Sequence, residues 1–255
     1  TTIMANGHCL EEVASFAKQH PEISYRIHFC LDEFDSLTKS SVLFDYGLTD
    51  KDGVFVKGGV FVCERYDERL KNAVYDELCA QVERLLFLGV PISHADSHHL
   101  VHTRVPKLQN TFISVFKKYG IEKVRIGEIY SLREMIKTHQ TDAPSSTNAN
   151  HITIEHNTGK QKGKIIRGLN FVKAQIKQLA INYRYKKNFK TTDYFFFYSG
   201  LLKNTSMANK MTNAKIELMC HPGHPSPVYQ FEICQIESNK LDEKMNYKLI
   251  SYNEL

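Results

Sequence analysis

None of the six cysteines, Cys9, Cys30, Cys63, Cys79, Cys220 and Cys234, stands in a C-x-x-C pair, which excludes a zinc ribbon. Cys30 and Cys220 sit inside apolar, strand-like runs, where a thiol serves as a small hydrophobe, so a reducing cytoplasm is the expected compartment. No apolar run approaches the roughly 18 residues that a membrane span needs, and no signal peptide is visible; no membrane contact is expected. The net charge of +5 and the pI of about 8.7 fall short of the domain pI above ~9 that marks a nucleic-acid binder. There is no internal repeat and no linker. A length of 255 residues suits one α/β barrel or two small domains, and a single domain over 1–255 is expected.

What is present is concentrated in one stretch, Ser93 to Pro106. Four histidines and an aspartate, His94, Asp96, His98, His99 and His102, fall within nine residues. They follow a helix that ends at Gly89 and the apolar turn Val90-Pro91-Ile92, the context of a strand running into a loop. Strand side chains alternate with period two, so His94, Asp96 and His98 are expected on one face and Ser97 and His99 on the other. Two imidazoles and a carboxylate on one face can bind a divalent metal or orient a group that does. A polar surface turn is the blander alternative, but three polar groups on one face of a core strand are costly to bury without a task.

Hydrophobic spacing orders the rest. Asn6-Gly7 opens a helix carrying Leu10, Val13, Ala14 and Ala17, closed by Pro21. Ile23 to Leu31 is a strand, with Arg26, His28 and Cys30 sharing a face. Asp32 to Glu64 is irregular and turn-rich, the pattern of a long loop. Glu68 to Leu88 is the clearest helix; Leu70, Ala73, Val74, Leu78, Val82, Leu85 and Leu86 form its apolar stripe, and Gly89 sits at the C-terminal cap. Lys107 to Tyr119 is a helix stopped by Gly120, and Ile121 to Ile126 a short strand. Helix, glycine and short apolar strand thus occur twice in succession, the signature of βα units and a parallel sheet. Gln140 to Lys164 reads as a polar loop and Ile165 to Asn182 as a helix with a solvated basic face. Tyr194 to Tyr198 reads as buried, Ile216 to Pro222 as a strand, a weak helix lies around Leu241, and Lys248 to Tyr252 reads as a last strand.

His28, His98 and His221 each fall at or near the C-terminal end of an expected strand. In a (β/α) barrel those ends converge on one face, where catalytic groups gather. The segment H-x-D-S-H-H-x-V-H, from His94 to His102, resembles the hallmark of the YdjC-like carbohydrate deacetylases, the family that includes chito-oligosaccharide deacetylase. Thr1 to Gly7, the strand with Ile27-His28-Phe29-Cys30-Leu31, Met219-Cys220-His221-Pro222-Gly223 and Leu249 to Tyr252 are similar to further family segments, in the right order.

The resemblance implies an α/β fold, a distorted (β/α) TIM-like barrel, that removes the N-acetyl group from an N-acetylated amino sugar. It implies a divalent metal, Mg or Zn, held by one Asp and two His, the latter at His28 and His98. It places the general acid at His221 and assigns Asp96, His94 and His102 to supporting or substrate-binding positions, with Arg125 as an active-site arginine. Two departures stand out: Asp32-Glu33 follows Leu31 where the family continues to Thr, and Leu100 replaces a third consecutive histidine. The family's first strand carries an Asp-Asp pair; the chain is expected to start downstream of it, without a first βα unit of roughly 30 residues. An open strand edge would then favour pairing with a second copy, a homodimer. Two other readings stay open: a non-catalytic sugar- or partner-binding protein of the same fold, and a metal-dependent phosphoester hydrolase, which would need more acidic ligands than the sequence places.

Overall fold

The computed structural model describes residues 1–127, 164–203, 213–221, 227–238 and 247–255. The expected polar loop from Gln140 to residue 163 and the helix around Leu241 lie outside them. The chain divides into two compact units. One comprises Thr1–Gly127, Ile181–Thr191 and Ile250–Leu255; the other comprises Glu128–Ala180 and Thr192–Leu249.

The first unit is built on three parallel strands in the order β1 (Thr2–Ile3), β2 (Tyr25–Phe29) and β3 (Ile92–Ser97). Helix α1 (Leu10–Gln19) joins β1 to β2, burying Leu10, Ala14 and Ala17 as its spacing requires. Between β2 and β3 come the short helices α2 (Ser41–Asp45) and α3 (Gly59–Val62), then the long α4 (Glu68–Phe87). The expected long loop is therefore partly ordered into helices too short to show a period, and it buries Leu43, Leu48 and Val60.

Helix α4 begins where Asp67 accepts a hydrogen bond from the Leu70 amide, an N-cap, and ends at Gly89, whose φ of 72° is the left-handed cap conformation. The expected stripe is buried except at Leu86, which is half exposed; Glu77 and Gln81 are fully buried instead. In β2 only His28 is not fully buried, as in a parallel strand covered on both faces.

After β3 the chain turns through α5 (Val101–Arg104) into α6 (Gln109–Lys118), then into residues 121–127. Ala95 bridges Val124 and Lys123 bridges Lys190, both parallel, so the succession of parallel segments continues beyond β3. Helix α7 (Lys164–Asn188) runs six residues past its expected end. The end of this helix and the residue after it supply core: Ile181, Tyr185 and Phe189 are buried at i, i+4 and i+8, with Tyr185 and Phe189 against Phe116. Upstream, Ile176 and Leu179 are exposed. The expected C-terminal strand is instead a single 3-10 turn, Tyr252–Glu254, because Ser251 and Glu254 close a capping box.

In the second unit β4 (Tyr194–Phe197) pairs in parallel with β5 (Ile216–Met219), and α8 (Tyr198–Lys203) follows β4 directly. Phe196, Tyr198, Leu201 and Leu202 form a small core with Ile216, Leu218 and Cys220. Helix α9 (Pro227–Glu237) and residues 164–180 of α7 also belong to this unit. No helix among the described residues is long and apolar enough to cross a membrane.

Candidate active site and metal-binding group

Parallel pairing sets His28 beside Asp96 and Arg26 beside His94. Arg26 and His28, two residues apart on β2, face the same way. On the other side of β3, the Arg125 amide donates to the Ala95 carbonyl, which brings Arg125 alongside Asp96. Three cation-capable side chains, two from β2 and one from the segment after α6, therefore meet one carboxylate. Arg26 Nε lies 3.0 Å from Asp96 Oδ1, Arg125 donates to Oδ2 at 2.6 Å, and His28 Nδ1 lies 2.5 Å from Oδ1.

Asp96 is wholly buried. Burial alone would raise its carboxyl pKa, but Arg26, His28 and Arg125 together outweigh that and hold it well below the ordinary carboxylate range. An ionised carboxylate only accepts, so His28 donates through Nδ1. Desolvation lowers the His28 pKa and keeps the ring neutral, against the pull of Asp96. Nε2 of His28 is then a bare lone pair, and it lies 3.3 Å from Nδ1 of His98.

His98 does not continue the strand. β3 ends at Ser97, and His98–Leu100 form a 3-10 turn in which His99 and Leu100 both adopt positive φ, 49° and 57°. The period-two alternation stops there, so His99 is not on the far face as the spacing implied. It returns to the same side as His98, with ring centroids 3.9 Å apart. His99 Nδ1 lies 2.5 Å from Oδ2 of the fully buried Asp32, just beyond β2. Desolvation, then His99 and His28, press the His98 pKa down to about 4. Its Nε2 is buried without a hydrogen-bond partner among the described residues, the Glu33 carboxylate standing 3.5 Å away. Asp32, His98 and His99 each offer a ligand atom, all within 4.8 Å of one another. The structure thus holds a His/Asp group spaced to take a metal ion.

Helix α4 fixes the segment that carries Asp32. Gln81 accepts from the Cys30 amide at 3.0 Å and donates to the Cys30 carbonyl at 2.8 Å. Glu77 accepts from the amides of Leu37 and Thr38 and from the Thr38 hydroxyl, at 2.8–3.1 Å. Asp32 and Glu33 are bracketed between these two clamps.

The other expected residues are placed as follows. His102 is buried with both ring nitrogens engaged: Nε2 donates to the Arg125 carbonyl at 3.0 Å and Nδ1 accepts from the Ser97 hydroxyl at 2.7 Å. It ties the end of β3 to the Arg125 segment and has no nitrogen left for a substrate. His94, at the start of β3, stacks on Tyr252 with ring centroids 3.6 Å apart. His221 follows β5 in the second unit; its backbone amide donates to Glu232 at 3.2 Å, and Nδ1 stands 3.6 Å from the same carboxylate.

Sequence reasoning passed over Arg26, Asp32 and His99 as site residues. Arg26 carried a usable signal, since it shares the His28 face. Asp32 and His99 meet across 67 positions through a left-handed turn, and no local pattern announces that.

A family model described as YdjC-like protein matches residues 1–252. A carbohydrate deacetylase of Vibrio cholerae serotype O1 (strain ATCC 39541 / Classical Ogawa 395 / O395) is 36% identical over 127 residues, 50% of this chain and 47% of the relative. A carbohydrate deacetylase of Geobacillus stearothermophilus is 37% identical over 102 residues, 40% of this chain and 38% of the relative. The chain therefore spans about half the length, or less, of these curated relatives. Among solved structures, a protein of Enterococcus faecalis V583 whose name proposes cellobiose-phosphate cleavage superposes with a TM-score of 0.58 at 17% identity. That likeness covers 100% of this chain and 86% of the other, and it concerns the fold.

Proposed function

The chain belongs to the YdjC-like family, and on that premise we propose that it is a carbohydrate deacetylase, a metal-dependent hydrolase that removes the N-acetyl group from an N-acetylated sugar. Water and the acetamide give acetate and a free amine. The carbohydrate deacetylases among its relatives support the reaction class. The parallel βα succession supports a distorted barrel.

The observation that carries the reading is the approach of His28 to His98. Two neutral imidazole nitrogens stand 3.3 Å apart, close to the separation of adjacent ligands on one ion when each bond is about 2.1 Å. His28 and His98 would hold the ion, whose chemistry is to acidify a water and polarise the acetamide carbonyl. Asp96 keeps His28 in the tautomer that offers Nε2, the role of a carboxylate behind a metal-binding histidine. Arg26 and Arg125 keep Asp96 ionised, so the proton stays on His28 Nδ1. His221, by its place in the Met-Cys-His-Pro motif, is assigned the proton donation to the leaving amine nitrogen.

The test is acetate release from N-acetylglucosamine oligosaccharides by chelator-treated protein, with and without Mg2+ or Zn2+. Activity should return with metal in the wild type and not in His98→Gln. Absence of acetate release from any N-acetylated sugar, with metal bound, would overturn the reading.

A further inference from the structure

Phe34 stands in a left-handed conformation, φ 63°, which a bulky side chain keeps only where its surroundings impose it. They do so here. Asn6 Nδ2 donates at 3.2 Å to the carbonyls on either side, those of Glu33 and Asp35. The Phe55 amide donates to the Phe34 carbonyl and the Ser36 amide to the Gly53 carbonyl, both at 2.8 Å. Glycine would make this turn without strain, so the position keeps an aromatic ring against its backbone preference.

We propose that Phe34, cornered by His8, is the surface on which the sugar ring of the substrate packs, so that the site recognises an N-acetylhexosamine and not the acetamide alone. The proposal rests on the hydrolase reading and specifies its substrate.

Placement is the first support. β1 and β2 run parallel, so the segments that leave them, carrying His8 and Phe34, emerge at the same edge of the sheet. The two rings meet at 87° with centroids 5.2 Å apart, His8 exposed and Phe34 half-buried. The second support is what adjoins them. Glu33, the preceding residue, carries one carboxylate oxygen 3.5 Å from His98 Nε2 and the other 3.8 Å from Nζ of the exposed Lys57. An aromatic corner, a carboxylate and an ammonium thus lie beside an imidazole assigned to the cation. A pyranose matches that set. Its axial C–H bonds pack on an aromatic face, while its equatorial hydroxyls donate to a carboxylate and accept from an ammonium. N-methylacetamide, which has neither feature, would gain nothing from it.

The experiment is binding of the β-1,4-linked tetramer of N-acetylglucosamine, with and without Mg2+, read by calorimetry and by saturation-transfer NMR. Wild type is compared with Phe34→Gly and Phe34→Tyr. Phe34→Gly relieves the backbone, so its melting temperature should hold or rise, yet it should bind the tetramer at least roughly 10-fold more weakly. Phe34→Tyr should stay within about 3-fold of wild type. Saturation of the aromatic protons should pass to the axial protons of the sugar, N-methylacetamide should not compete, and Co2+ affinity should be the same in all. Unchanged tetramer affinity in Phe34→Gly overturns the proposal. So does a wild type that binds no tetramer in either condition, or a Phe34→Gly that loses Co2+ along with the sugar. If wild type binds the tetramer through Phe34 but releases no acetate, the hydrolase reading falls and the sugar platform stands.

Discussion

Asp96 Oδ1 and His28 Nδ1 are 2.5 Å apart across two neighbouring parallel strands, and the carboxylate has no exposed surface. The contact fixes which nitrogen of His28 is available, and it depends on the two arginines that keep Asp96 charged.

Asp96→Asn should therefore be severely destabilising. It leaves Arg26 and Arg125 buried around a neutral amide, and breaking a buried pair from one side costs on the order of 3–5 kcal/mol. Urea unfolding would measure it. A loss below about 1 kcal/mol would mean that water, not Asp96, balances the arginines.

Acid should weaken the fold in two windows. Desolvation pushes His102 down to about 4, and His98 likewise sits at about 4. An unfolded histidine titrates near ~6.5. As pH falls from there toward 4, the unfolded chain takes up protons that the native state refuses, so stability present above pH ~6.5 is progressively lost. For a fully buried ring such as His102 the loss is on the order of 3 kcal/mol. Below pH ~4 the depressed Asp96 adds a second loss, because its folded pKa lies under its unfolded value. His102→Gln should flatten the upper window in urea titrations at pH 7 and 4.5, whereas an unchanged slope would contradict the assignment.

Gln81→Leu should cost at least about 2 kcal/mol, since it orphans both the amide and the carbonyl of Cys30 in a dry interior. Urea unfolding checks it; a loss below about 1 kcal/mol would show that water satisfies the Cys30 amide and carbonyl in the variant.

His221→Gln should retain metal by elemental analysis while turnover falls ~10²-fold or more, the loss expected for a missing general acid. Metal lost along with activity would reassign His221 as a ligand.

Much of this was legible in the residues. Period two alone put Arg26 with His28 and placed Asp96 on one face of its strand, and parallel pairing did the rest. The stripe and glycine stop of α4 matched, except that Leu86 is half exposed and Glu77 and Gln81 are buried. A polar residue inside an apolar helix face reads as outward-facing unless its partner is known. Here the partners are backbone groups of a distant loop. His99 could not be placed from spacing, because alternation presumes extended backbone and the chain leaves it at His98. Residues 181–189 were undervalued because their lysines and arginines mask a buried i, i+4, i+8 row.

The left-handed pair at His99 and Leu100 bears on any attempt to graft this site elsewhere. Copying the histidines onto an ordinary strand exit would splay them to opposite sides. A host scaffold would have to impose the same reversal, and a glycine at the second position would permit the bend without enforcing it. The recipe to transplant is a shape of chain first and a set of donors second.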